Sequence, residues 1–144
     1  MIRLIQISTL FALLTLTAYA EVTVHNAWVR PTVPQQKTTG AFMTITSTTD
    51  ARLVGIKSSI ADRVEIHEMK MENDVMSMRA VPSLPLSAGK QTKLVPGGYH
   101  VMLFDLHQQV KAGDSVPLTL IIEGRNKKRT SVTIKASATS GVGN

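Results

Sequence analysis

The sequence predicts an all-β domain, an antiparallel sandwich or barrel, and three observations carry that prediction. Apolar and polar residues alternate with period two through most of 22–136, no window carries a helical stripe, and Gly, Pro, Asn and Asp interrupt the chain at short intervals. Many short strands at such spacing in one mid-sized domain pack as an antiparallel β architecture.

Strands are predicted at 22–30, 41–48, 51–58, 63–71, 75–81, 91–95, 99–105, 116–123 and 129–136. The first ends near Trp28, whose ring suits a core or rim position. "PTVPQQKTTG" reads as a long loop whose Pro and Gly set turns. Later breaks fall at Asp50, Asn73-Asp74, Pro82 and Pro85, Gly97-Gly98, Gly113-Asp114 and Gly124. The basic run Arg125-Asn126-Lys127-Lys128-Arg129 lies at a predicted turn and reads as a solvated loop. "SATSGVGN" (137–144) is small and polar, a flexible C-terminal tail.

Residues 1–20 read as a secretory signal peptide. A short positive start containing Arg3 precedes an apolar stretch diluted by Gln, Ser and Thr, and Ala18-Tyr19-Ala20 forms an A-x-A cleavage signature. The stretch is shorter and more polar than a membrane span of roughly 20 apolar residues requires. The mature chain is therefore expected to begin at Glu21, in a Gram-negative periplasm, without an integral membrane segment. Residues 21–136 form one domain, long enough to bury its own core. Once Arg3 is removed, 15 Lys and Arg face 10 Asp and Glu, a formal charge of +5. Export argues against a nucleic-acid partner for this basic surface and favours an acidic protein or an anionic membrane surface.

The chain has no cysteine. That excludes disulfide staples, a lipoprotein anchor, a thiol nucleophile, iron–sulfur ligation and a blue-copper thiolate. No nucleophile elbow, H-E-x-x-H or paired-carboxylate motif supports hydrolase chemistry either, so the chain is not read as an enzyme.

Against this background, "VEIHEMKMENDVMSMRA" (64–80) places one histidine and four of the seven methionines in seventeen residues. Strand alternation puts His67, Met69 and Met71 on one face. A two-residue turn at Asn73-Asp74 would set Met69 opposite Met78 and Met71 opposite Met76; a turn at Glu72-Asn73 would set His67 opposite Met78. Both keep His67, Met76 and Met78 on one face, whereas a one-residue slip would separate them. Further on, "PGGYHVMLFDLH" offers His100 and Met102 at i and i+2, with Val101 and Leu103 on the opposite, core-like face. Imidazole and neutral thioether together select Cu(I) or its mimic Ag(I), whereas zinc prefers imidazole, thiolate and carboxylate and calcium prefers oxygen. Taken singly, each methionine would also serve as core filling. His25 and His107 have no thioether or carboxylate at suitable spacing and read as structural.

"IHEM", then Met78, then "HVM" make the pattern H-x(10)-M-x(21)-H-x-M, met by His67, Met78, His100 and Met102. With "SSIADRVEIHEM", "LPLSAGKQTKLVPGGYHVMLFDL" and "AGDSVPLTLIIE" around it, the chain resembles the periplasmic copper chaperone family PCu(A)C over roughly 22–136. The resemblance implies a cupredoxin-like, immunoglobulin-like Greek-key antiparallel β-sandwich. It also implies a Cu(I) site built from those four residues, with Met69 as an auxiliary thioether. Delivery would run toward the CuA centre of cytochrome c oxidase, alongside a Sco-type thiol protein, by a monomeric carrier. The His/Met-rich C-terminal extension of some relatives has no counterpart in "KASATSGVGN". Two other readings use the same residues: a periplasmic copper buffering or resistance protein, and an exported immunoglobulin-like module that binds no metal and whose methionines are packing.

Overall fold

The computed structural model describes residues 20–141. The leader expected at 1–20 and the end of the expected tail therefore lie outside the described residues, apart from Ala20 and residues 137–141.

Among the described residues ten strands follow one another: β1 Val22–Val29, β2 Thr39–Ser47, β3 Ala51–Lys57, β4 Ala61–Glu72, β5 Val75–Val81, β6 Leu84–Leu86, β7 Gln91–Leu94, β8 His100–Leu106, β9 Ser115–Gly124 and β10 Arg129–Ala138. The expected all-β Greek-key class is the observed one. The strands run in the order β5-β4-β8-β2-β1-β10-β9-β3-β6, with β7 also paired to β2. The sheet folds over on itself, so that β3 packs beside β4. One core forms inside the fold: Ala41, Met43 and Ile45 of β2, Ile66 of β4 and Val101 and Leu103 of β8 share it with Leu53 and Ile56 of β3 and Leu118, Leu120 and Ile122 of β9. Alternation on each of these strands leaves the other face outside, and that outer face of β4, β8 and β2 carries the site.

The structure adds three features that the residue pattern did not predict. β1 and β10 pair in parallel, through Trp28 with Ser137 and Val29 with Ala138, so the sheet is mixed. That pairing corrects the tail expectation: β10 continues two residues beyond 136, Ala138 is buried, and the Ala138 N–H donates to the Asp114 carbonyl at 2.8 Å. Burial and a neighbouring strand give this small-residue segment the partners that composition alone cannot reveal. The third is β6, which lies at the sheet edge and contains Pro85. Proline lacks the N–H needed on an interior strand and is tolerated at an edge, so a residue that reads as a break sits within a strand.

Local turn chemistry matches the sequence elsewhere. The basic run spans the β9–β10 turn, where the Gly124 N–H donates to the Lys128 carbonyl and the Gly124 carbonyl accepts from the Lys127 N–H, each at 3.0 Å. A bulge in β1 between His25 and Trp28, with Asn26 at φ +53°, brings Trp28 directly opposite Phe42 of β2. Their rings stack with centroids 4.4 Å apart, a contact worth about 0.5–1.5 kcal/mol beyond its buried area.

Candidate metal centre

The register of the β4–β5 hairpin decides which side chains can meet. Asn73 and Asp74 both adopt positive φ, +49° and +63°, the conformation of a two-residue type I′ turn. Of the two turns considered from sequence, this one sets Met69 opposite Met78 and Met71 opposite Met76. On its other side β4 pairs with β8, which places His67 opposite His100 and Glu65 opposite Met102. Ile66, Val101 and Leu103 occupy the core face, so Glu65, His67, Met69, Met78, His100 and Met102 all lie on the outer face of three adjacent strands.

The hydrogen bonds of the two imidazoles identify which nitrogens are available. His100 Nδ1 lies 2.9 Å from the Gly98 carbonyl, which can only accept, so Nδ1 carries the hydrogen and Nε2 of the neutral ring presents a lone pair. That Nε2 stands 3.2 Å from Met78 Sδ. Two lone-pair donors therefore face each other, an arrangement with little attraction of its own and one that an intervening soft cation would satisfy. His67 shows the complementary pattern. Its Nε2 lies 2.8 Å from Glu65 Oε2, an acceptor, so in the neutral ring Nδ1 bears the lone pair; that atom is buried and has no hydrogen-bond partner. An unsatisfied buried acceptor costs about 1–3 kcal/mol and calls for an explanation. The two rings are 5.9 Å apart between centroids.

Met69, Met78, His100 and Met102 line one cavity of about 400 Å³, together with Arg30 and Phe42. His67 does not line it and sits behind, between the His100 and Phe104 rings. The donors thus differ in access: His67 and His100 are 9% and 5% exposed, Met102 and Met69 are half-buried, and Met78 is 51% exposed. Core packing accounts for Met43 alone among the described methionines. Among the described residues, no three His, Cys, Asp or Glu side chains gather to hold a metal.

Neighbouring strands hold this arrangement in place. The Gly98 carbonyl accepts from both the Met69 N–H, at 3.3 Å, and His100, and so ties the turn before β8 to β4. Gly97, at φ +85°, makes that turn. Gly40 lies opposite Met102, and a methyl group there would come within 3.2 Å of the Phe42 ring. Phe42 stacks toward His100 at 6.3 Å and carries the Arg30 guanidinium 5.1 Å above its centroid. On the far side Glu65 accepts from His67 and pairs with Arg63 at 2.6 Å. The His67 hydrogen bond, and after it the Arg63 guanidinium, hold the Glu65 carboxyl below the usual carboxylate range.

Of the residues expected from sequence, the structure gathers Met69, Met78, His100 and Met102 around one cavity and sets His67 beside His100 but outside its lining, and it adds Glu65, Gly98, Gly40 and Phe42, which residue reasoning missed. Glu65 had a legible signal, since it stands two residues before His67 in a strand and must share its face. The Gly98 carbonyl and Phe42 had none, because their roles depend on the turn and on pairing across distant segments. His25 is exposed on β1. His107 departs from expectation: it has a carboxylate after all, pairing with Asp62, which β4 supplies from 45 residues away.

Residues 22–135 match the LpqE-like family of lipoproteins. The chain belongs to this family, which is the PCu(A)C family. Among curated relatives, Lxx21020 of Leifsonia xyli subsp. xyli, named as a lipoprotein, is 31% identical over 117 residues, covering 79% of this chain and 69% of its own length. RP573 of Rickettsia prowazekii is 28% identical over 123 residues, covering 80% and 68%. The fold is similar to that of the copper-bound PCuAC domain of PmoF2, with a TM-score of 0.65, 23% identity and coverage of 81% and 91%. It is similar also to the apo PCuAC domain of PmoF1, with 0.66, 22%, 82% and 92%. CuI-DR1885 of Deinococcus radiodurans matches with a TM-score of 0.60 at 25% identity, covering 82% of this chain and 78% of that one.

Proposed function

We propose that this family member is a metallochaperone, not an enzyme, that binds one Cu(I) through His67, Met78, His100 and Met102 and passes it to a partner protein. The observation that carries the reading is the 3.2 Å approach of His100 Nε2 to Met78 Sδ, with the other nitrogen committed to a carbonyl. The partnerless Nδ1 of His67 supports it from the other side. Two imidazoles and two thioethers form a neutral shell suited to a monovalent soft ion, and Ag(I) would bind as a mimic. Copper-bound PCuAC domains among the structural neighbours agree with such a cargo.

The unequal exposure of the donors suits transfer. An acceptor reaches Met78 first and displaces its thioether while the buried imidazoles still hold the ion, so copper stays coordinated throughout. The acceptor we propose, on the family resemblance, is the CuA-bearing subunit of cytochrome c oxidase, reached directly or alongside a Sco-type thiol protein. Residues 1–20 serve as a leader cleaved after Ala20, and the domain beginning at Glu21 works in the periplasm.

The test is an anaerobic Cu(I) titration against a chromophoric competing chelator, followed by X-ray absorption on the loaded protein. One tight equivalent with mixed sulfur and nitrogen neighbours is expected. Absence of tight binding, or a shell without sulfur, would overturn the assignment.

A further inference from the structure

The four-residue site, with Met69 beside it, leaves two exposed thioethers unused. Met71 and Met76 face each other across the β4–β5 hairpin at its tip and are 60% and 47% exposed. Neither lines the cavity of the site already described. They lie on the same face as Met69 and Met78, so the hairpin presents two consecutive thioether rungs. Directly opposed residues have Cβ atoms roughly 4.5–5.5 Å apart, and successive rungs on one face follow at about 7 Å, two strand residues. The inner rung ends at His100, 3.2 Å from Met78 Sδ.

Ordinary strand pairing does not account for this composition. An exposed hairpin tip gains most from β-branched or aromatic pairs, whereas methionine is unbranched and flexible. The other face of the same hairpin carries no thioether: Lys70 lies opposite Ser77 and pairs with Glu72 at 3.1 Å, and Glu72 lies opposite Val75. What the four methionines share, beyond being apolar, is a soft, neutral sulfur donor on one face. Two such sulfurs, on flexible arms facing each other, can bind a monovalent soft cation from opposite sides.

We propose that Met71 and Met76 form a second soft-metal site at the hairpin tip, which captures Cu(I) or Ag(I) and passes it along the Met69–Met78 rung to His100. Each step exchanges one metal–sulfur bond for the next, and the last exchanges sulfur for the His100 Nε2 lone pair, with no change in oxidation state and no proton released. The capture step stands on the hairpin alone; the onward passage rests on the His/Met reading above.

Ag(I) titration of the full protein, labelled with carbon-13 at the methionine methyl groups, separates the two. The first equivalent is expected to move the Met78 and Met102 signals and the second to move those of Met71 and Met76. In a Met71→Leu, Met76→Leu variant, the second phase should vanish, the first should persist, and the initial rate of loading from a weak Ag(I) chelate should fall severalfold. Met71 and Met76 signals that stay still through excess Ag(I), while Met78 and Met102 respond, would overturn the hairpin site and leave the His/Met site intact. Movement of Met71 and Met76 without Met102 would support the hairpin site and sink the four-ligand reading. A variant that loads at the parental rate would overturn the passage from tip to His100. No response at any methyl group would overturn both readings.

Discussion

His67 and His100, thirty-three residues apart in sequence, stand directly opposite each other across the β4–β8 pair with ring centroids 5.9 Å apart. Each ring has one nitrogen engaged by an acceptor, Glu65 for His67 and the Gly98 carbonyl for His100, so each presents its other nitrogen as a lone pair. The tautomers of the neutral rings are thus set by neighbours, the device by which proteins orient imidazoles that ligate metals.

Glu65 should therefore matter to copper without touching it. Glu65→Ala removes the acceptor that holds His67 Nε2–H and frees the ring to change tautomer. Losing such an orienting partner lowers metal affinity about 10–100-fold in comparable sites. Competition titration of Cu(I) would measure it, and Glu65→Gln, which keeps an acceptor oxygen, should recover part of the loss. Unchanged affinity in the alanine variant would refute the orienting role.

Met78 is 51% exposed, so Met78→Leu should alter apo stability by no more than about 0.5 kcal/mol. Combined with Met102→Leu it should abolish tight Cu(I) binding while leaving the circular dichroism spectrum unchanged. If the double variant unfolded without metal, the two methionines would be packing residues instead of donors.

Copper should be released on acidification, because protons compete with the ion for the His67 and His100 lone pairs while the thioethers bind no protons. Affinity measured from pH 8 to 5 should fall steadily. A flat profile would assign the ion to sulfur alone.

Asp50 offers a separate pH dependence, of stability. Its carboxylate accepts the Ala88 N–H at 2.8 Å and pairs with Arg125 at 3.1 Å, and these contacts, the backbone hydrogen bond first, hold its pKa below the ordinary value. A depressed carboxylate pKa contributes stability that is fully present above the ordinary value and lost as pH falls through the depressed one. Asp50→Ala should therefore lower the Tm at pH 7, with the gap to the parent closing in acid. A gap that persisted unchanged would place the effect in the turn and not in the charge.

Gly40→Ala should disturb the aromatic wall of the site. The added methyl meets Phe42 at 3.2 Å, and Phe42 is wedged between Trp28 and His100. Overpacking of this kind costs about 1–3 kcal/mol, and the fluorescence of Trp28, the lone tryptophan, should report the shift. Unaltered emission together with parental stability would mean the wall relaxes freely.

Alternation and turn residues alone made much of this protein legible. The Gly97-Gly98 turn and the faces of His67, Met78, His100 and Met102 follow from local rules, because side chains alternate strictly along a strand. Those rules narrow the hairpin turn to two registers that share those faces, and the structure selects Asn73-Asp74. The same rules could not reveal β6, where Pro85 is tolerated only because the strand lies at an edge, or the last residues of β10, which are held by β1. Nor could they reveal that His107 would meet Asp62, or that a single carbonyl of Gly98 would serve both Met69 and His100. What the amino-acid sequence determined was the donor chemistry, soft and neutral in a chain without thiols, and the face of each strand on which it lies. The tertiary structure decided which side-chain atoms are left free and how far each is exposed, because burial and access depend on β5, β4, β8 and β2 lying side by side, a pairing that local rules do not give.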